Sequence, residues 1–183
     1  EDLEELRGVE GIAARIYYAG MRHLLRQDLS FNGRNKRPPK DPVNAMLSFG
    51  YVILYQRVCR FVTLYGLDPY MAHLHVPMDR RLSLPLDLME EFRSVIIDRA
   101  VLTLVNRVQV TVKDFKVHEQ GIRMEQKAIA LLIKEIEPRL EQPIHYPPLK
   151  KDLPWKLVMQ RQVGLYRRFL EGEIESYPGF VVR

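Results

Sequence analysis

Apolar positions along this chain recur at helical spacing almost from end to end. Between Asp2 and about Gln27, residues Leu3, Leu6, Val9, Ala13, Ile16, Tyr17, Ala19 or Gly20, and Leu24 follow the three-and-four rhythm of one helix face, with Glu10 just beside the stripe. A second helix is predicted where Asp41 supplies an N-cap and Pro42 a first helical residue. Val43, Met46, Leu47, Gly50, Tyr51, Leu54, Val58 and Val62 form its stripe, and Gly66 its stop. Ser83 caps a third helix that tolerates Pro85 in its first turn. Its positions Leu86, Met89, Phe92, Val95, Ile96, Ala100, Leu102 and Leu104 carry it to about Arg107, apolar enough to cross a core. Thr111 and Asp114 predict a short turn or helix, Met124 to about Leu140 a long helix with Pro138 near its end, and Asp152 with Pro154 a last helix reaching about Glu173. Prolines at 143, 147, 148 and 154 mark a long connection. No convincing strand-type alternation interrupts this pattern, so the expected fold class is all-α, with residues 1–183 as one helical domain.

Composition narrows the class. At 183 residues and 46% apolar content the chain is of ordinary single-domain size and can bury a real core. No stretch approaches the roughly twenty apolar residues of a membrane span, and EDLEELRG at the start lacks the basic and apolar parts of a signal peptide. The lone cysteine, Cys59, has no internal partner and sits in an apolar helical run, compatible with a reducing cytoplasm. A cytoplasmic protein with no membrane role is expected. The start at Glu1, inside helix-like sequence, leaves room for a longer chain of which this is the carboxy-terminal part.

Charge adds a direction. Twenty-eight basic residues against 23 acidic ones favour a polyanionic partner. The excess is focused between Gly33 and Lys40, where Arg34, Lys36, Arg37 and Lys40 occur without an acid, beside Pro38 and Pro39 that deny the backbone a regular helix. The segment reads as a basic loop facing phosphates. Taken alone, such a run is better explained as a solvated connection whose charges aid solubility; its place between two helices that carry candidate carboxylates gives the phosphate-facing reading its weight.

The acids supply candidate chemistry. Asp87 and Glu90 are three apart and project from one face of the third helix, while His75 lies in the connection just before it. Two carboxylates beside an apolar stripe repel each other and resist desolvation, and a divalent cation removes both penalties. With Glu10 on the first helix, the set of Glu10, His75 and Glu90 suits magnesium or manganese, the imidazole tilting the choice towards manganese. The plainer alternative has Asp87 and Glu90 on a solvated face paired with Arg93 or Arg80, and His75 as an ordinary loop residue. His23, His73, His118 and His145 share no zinc-type spacing, and the scattered methionines and Trp155 read as packing.

Taken as blocks, these residues resemble a known family. GRNKRPPKDPVNAMLSFGYVILY at 33 to 55, GLDPY at 66 to 70, LH at 74 and 75, and SLPLDLMEEFR at 83 to 93 are similar to the catalytic helical domain of the CRISPR-associated Cas1 integrases. GVEGIAAR at 8 to 15 stands where that family places its first metal-binding glutamate. The resemblance is strongest up to Arg107. It implies a metal site of Glu10, His75 and Glu90 for Mg2+ or Mn2+, with Asp87 an accessory catalytic acid. It also implies DNA contacts at Arg34, Lys36, Arg37, Tyr55 and Arg93, with Asn44 positioning its helix. Two departures are visible. The connection VPMDRRL from Val76 to Leu82 lacks the glycine and the acid commonly found just after the histidine, its one acid being Asp79 further on, and the family's amino-terminal β-rich domain has no counterpart in this chain.

The implied activity is metal-dependent strand transfer, joining the 3′-hydroxyl ends of short double-stranded DNA segments into a CRISPR repeat. Implied partners are that DNA, a Cas2 companion protein and further copies of the chain, as a homodimer or larger assembly. Two rivals remain open: a non-catalytic DNA-binding or scaffold domain that keeps the fold, and a simple metal-dependent nuclease.

Overall fold

The computed structural model describes residues 2–35, 37–75 and 82–181. Lys36, Arg80 and the departure from Val76 to Arg81 therefore lie outside the described residues. Six α-helices occur among them: α1 (Leu3–Leu24), α2 (Pro42–Leu64), α3 (Leu84–Phe92), α4 (Arg99–Asn106), α5 (Gln126–Glu141) and α6 (Trp155–Leu170). A π-helical turn, Arg93–Asp98, joins α3 to α4, so the long third helix expected from the sequence is present with one widened turn.

The all-α expectation is corrected by two antiparallel hairpins. Strands β1 (Phe115–His118) and β2 (Gly121–Met124) pair with Phe115 opposite Met124. Strands β3 (Pro143–Tyr146) and β4 (Lys151–Pro154) pair with Pro143 opposite Pro154, so the expected long connection is itself a hairpin. Four-residue strands are too short for alternation to show. Prolines are tolerated here because they stand at the first and last positions of the ladder.

The chain forms two compact units. One comprises Glu1–Tyr51 and Ile97–Ile136, the other Val52–Ile96 and Glu137–Arg183. In the first unit, Asp2 caps α1 by accepting from the Glu4 N–H at 3.0 Å, with Glu4 and Glu5 in the first turn and Arg22 and His23 in the last, matching the helix dipole. Only Tyr18 and Met21 of α1 are buried. Leu6, Val9, Ile12 and Ile16 face solvent. Asp41 caps α2, its Oδ1 accepting from the Asn44 N–H at 2.8 Å. The Thr111 N–H donates to Asp114 Oδ2 at 2.8 Å, and Lys127 donates to Oδ1 at 2.7 Å, closing the short 3-10 turn before β1. Gly121 must be glycine: its φ is +100°, and a Cβ there would stand 2.5 Å from the Pro39 carbonyl oxygen.

In the second unit, α6 buries Trp155, Val158, Met159, Gln162, Val163 and Tyr166 at three-and-four spacing. Gly164 lets the Tyr65 ring approach, since a Cβ would come within 2.9 Å of it. Ser83, fully buried, precedes α3, and Leu84, Leu88, Met89 and Phe92 fill the core below it. No described helix is long and apolar enough to cross a membrane.

Candidate metal and nucleic-acid site

Asp87, in the first turn of α3, organises the loop in front of its helix. Its Oδ2 accepts the N–H groups of His73 (2.7 Å) and Leu74 (3.0 Å), and its Oδ1 accepts the His75 N–H (3.1 Å). The same Oδ1 lies 2.6 Å from His75 Nδ1. Burial raises the Asp87 carboxyl, but the bonds from the His75 ring and from the Leu74, His73 and His75 amides outweigh it and leave the group below its ordinary value. A carboxylate at Nδ1 makes that nitrogen the donor and leaves Nε2 with a free lone pair, the arrangement in which metal-binding histidines are held.

Glu90, one turn further along α3, is held by Arg93, whose NH1 donates to both carboxylate oxygens at 2.6 and 2.7 Å. Glu90 and Arg93 are both partly exposed. Tyr55, on α2, donates its hydroxyl to the Leu82 carbonyl at 3.1 Å. These residues belong to the second unit. Glu10 belongs to the first, where it is exposed on α1. His75 and Asp87 are thus brought into contact, and Glu90 is brought to Arg93. Among the described residues no group of three or more His, Cys, Asp or Glu side chains is gathered as a metal cluster. Of the expected ligands, His75 is the one whose surroundings suit a metal-binding histidine, its ring oriented by a carboxylate and partly exposed.

The basic loop belongs to the first unit and is built around buried Asn44. Asn44 Nδ2 donates to the Gly33 carbonyl (2.8 Å) and to Asp41 Oδ2 (2.6 Å). Its Oδ1 accepts from the Asn35 N–H (3.0 Å) and from Arg34 NH1 (2.8 Å). Arg34 also donates to Ser48 Oγ at 3.0 Å and lies 5.4 Å above the Tyr51 ring. Arg34 therefore serves as an internal strut of the loop, whereas Arg37 and Lys40 are exposed. At the far end of the loop the Ile122 N–H, from β2, donates to the Pro39 carbonyl at 2.8 Å.

Two polar networks escaped the sequence reading. Buried Asp98, in the π turn, accepts the hydroxyl of Tyr17 at 2.7 Å and that of Tyr51. Glu91, neighbour of Glu90, accepts from the Tyr177 hydroxyl (2.5 Å), the Phe180 N–H (3.0 Å) and Gln162 Nε2 (3.1 Å). Burial raises the Glu91 carboxyl despite these bonds. Their tyrosines are distant in sequence and follow no spacing rule, so no local signal pointed to either network.

A family model described as CRISPR associated protein Cas1 matches residues 1–138. The CRISPR-associated endonuclease Cas1 3 of Thermus thermophilus is 39% identical over 183 residues, covering 100% of this chain and 55% of that protein. Among solved structures, a Cas1 protein from Thermotoga maritima superposes with a TM-score of 0.86 and 29% identity over 94% of this chain and 53% of its own. A casposase bound to integration product superposes with a TM-score of 0.89 and 25% identity over 98% of this chain and 52% of its own. The chain spans about half the length of these relatives.

Proposed function

The chain belongs to the CRISPR-associated Cas1 family, and we propose that it is the mainly helical, hairpin-bearing catalytic part of a cytoplasmic, metal-dependent DNA integrase and endonuclease. The reaction is strand transfer: the 3′-hydroxyl of a short DNA segment attacks a phosphodiester of a CRISPR repeat, forming one P–O bond as another breaks. The observation that carries this reading is the His75 ring held by Asp87 at 2.6 Å.

Glu10, His75 and Glu90 would hold the ion, magnesium or manganese. When bound, such an ion neutralises charge on the reacting phosphate and lowers the pKa of the attacking hydroxyl. The chain's own groups have definite tasks. Asp87 keeps the Nδ1 proton of His75 in place and the ring oriented. Arg93 balances Glu90 before DNA arrives and would then turn to a backbone phosphate, as a planar bidentate donor suited to either. Arg37 and Lys36 would bind phosphates from the loop, Arg34 would keep that loop in shape, and Tyr55 would border the DNA. Double-stranded DNA, a Cas2 protein and further copies of the chain are the proposed partners. Support comes from the similarity to a casposase whose structure holds an integration product.

A scaffold that binds DNA without catalysis is the second reading, favoured by the closed pairing of Glu90 with Arg93. Glu10→Ala separates the two. Strand transfer of a labelled 3′-ended duplex into supercoiled DNA should vanish while salt-sensitive DNA binding stays. Equal loss of both, or of neither, refutes the integrase reading, and hydrolysis without joined product favours a plain nuclease.

A further inference from the structure

The last residues of the described chain fold back onto the helix that carries the candidate acids. Glu91 receives the Tyr177 hydroxyl on Oε1 and the Phe180 N–H on Oε2. Gln162, 1% exposed on α6, donates to the Pro178 carbonyl at 3.0 Å and accepts the Tyr146 hydroxyl at 2.8 Å. The Phe180 ring stacks on Tyr146 (6.0 Å between centroids) and meets Trp155 edge-on at 5.5 Å. A half-buried carboxylate and a buried amide thus form a socket for four residues of tail.

From this socket an aromatic file runs to the histidine loop. Tyr177 packs edge-on against Tyr166 at 5.6 Å, and Tyr166 packs edge-on against His73 at 5.9 Å. The His73 amide is one of the three that Asp87 holds. Tyr166 is only 6% exposed, so its ring has little freedom to move unless its neighbours do. Each link is a named contact between rings of one compact unit.

We propose that residues 177–180 are a positioning element for the candidate site: seated between Glu91 and Gln162, they hold Tyr166 against His73 and thereby fix the loop that presents His75. The catalytic consequence rests on the reading of His75 as a ligand. The mechanical coupling does not.

Amide hydrogen exchange in the intact chain tests the coupling. Tyr177→Ala should speed exchange at His73, Leu74 and His75 by about tenfold, while Tyr177→Phe, which keeps the ring against Tyr166, should stay within about twofold of the parent. Tyr166→Phe should likewise match the parent. In strand transfer, Tyr177→Ala should lower kcat and leave KM for DNA in place, and Tyr177→Phe should restore kcat. Should Tyr177→Ala not fold, Tyr177→Leu, which fills the space without an aromatic edge, carries the same expectations. The inference is overturned if either variant releases the Phe180 amide while the three loop amides exchange as in the parent. His75→Ala with undiminished strand transfer would instead sink the functional reading and leave the exchange result standing.

Discussion

Replacing Asp87 by asparagine removes a measurable part of the histidine loop. Four donors meet its two oxygens: His73 and Leu74 amides on Oδ2, and the His75 amide and ring on Oδ1. Asparagine keeps one oxygen, so whichever way its amide turns, two donors face an NH2 group. At about 1 kcal/mol per bond in a half-exposed loop, the loss is about 2 kcal/mol. That corresponds to roughly thirtyfold more open loop, with 1.4 kcal/mol for each factor of ten. Exchange at the three amides should rise by the same factor, and where the retained oxygen faces His73 and Leu74, nitrogen NMR of the His75 imidazole should show the Nδ1 proton no longer fixed. Strand transfer should fall by about 10- to 100-fold, the usual effect of losing a carboxylate behind a metal-binding histidine. The sign with pH follows from the lowered Asp87 carboxyl. Its contribution is fully present above the ordinary value near pH 4 and is lost as pH falls through the lowered one. Unchanged amide exchange in Asp87→Asn would refute the reasoning.

Arg37→Ala should lower the slope of log affinity against log salt by about one unit without touching the melting temperature. Arg34→Ala should lower the melting temperature as well, because its guanidinium bonds Asn44 and Ser48; equal melting temperatures for the two variants would contradict the strut role. Gly50→Ala places a Cβ 2.5 Å from Ile97 Cγ2, an overpacking expected to cost about 1–3 kcal/mol in denaturant unfolding. Asp114, held below its ordinary value chiefly by Lys127, should make Asp114→Asn less stable than the parent at neutral pH. The difference should close as pH falls through the lowered value, and a gap persisting in acid would count against that origin.

Helix starts and stops were legible because they depend on neighbours in sequence. Asp41 and Pro42 open α2, and Gly66, at φ +69°, follows its end. Asp114 with Thr111 marked the short turn for the same reason. The hairpins were not legible: β3 and β4 are held by pairing across a proline-rich turn, and the alternation of exposed and inward positions in a run such as PIHY is too short to stand out. Asp87 and Glu90 were read as a converging pair from their spacing. Spacing places them on one face but cannot see that backbone N–H groups claim the first and Arg93 the second. Arg34 illustrates the same limit, since nothing in GRNKRPPK distinguishes the arginine that braces from the one that stays exposed.

The moorings of the basic loop, Asn44 on one side and the β2 amide on Pro39 on the other, have a kinetic consequence. A preshaped segment gives up little conformational entropy on meeting a polyanion, so association needs no slow rearrangement there. Loosening either mooring would restore that ordering cost, slowing association and shortening the lifetime of the complex.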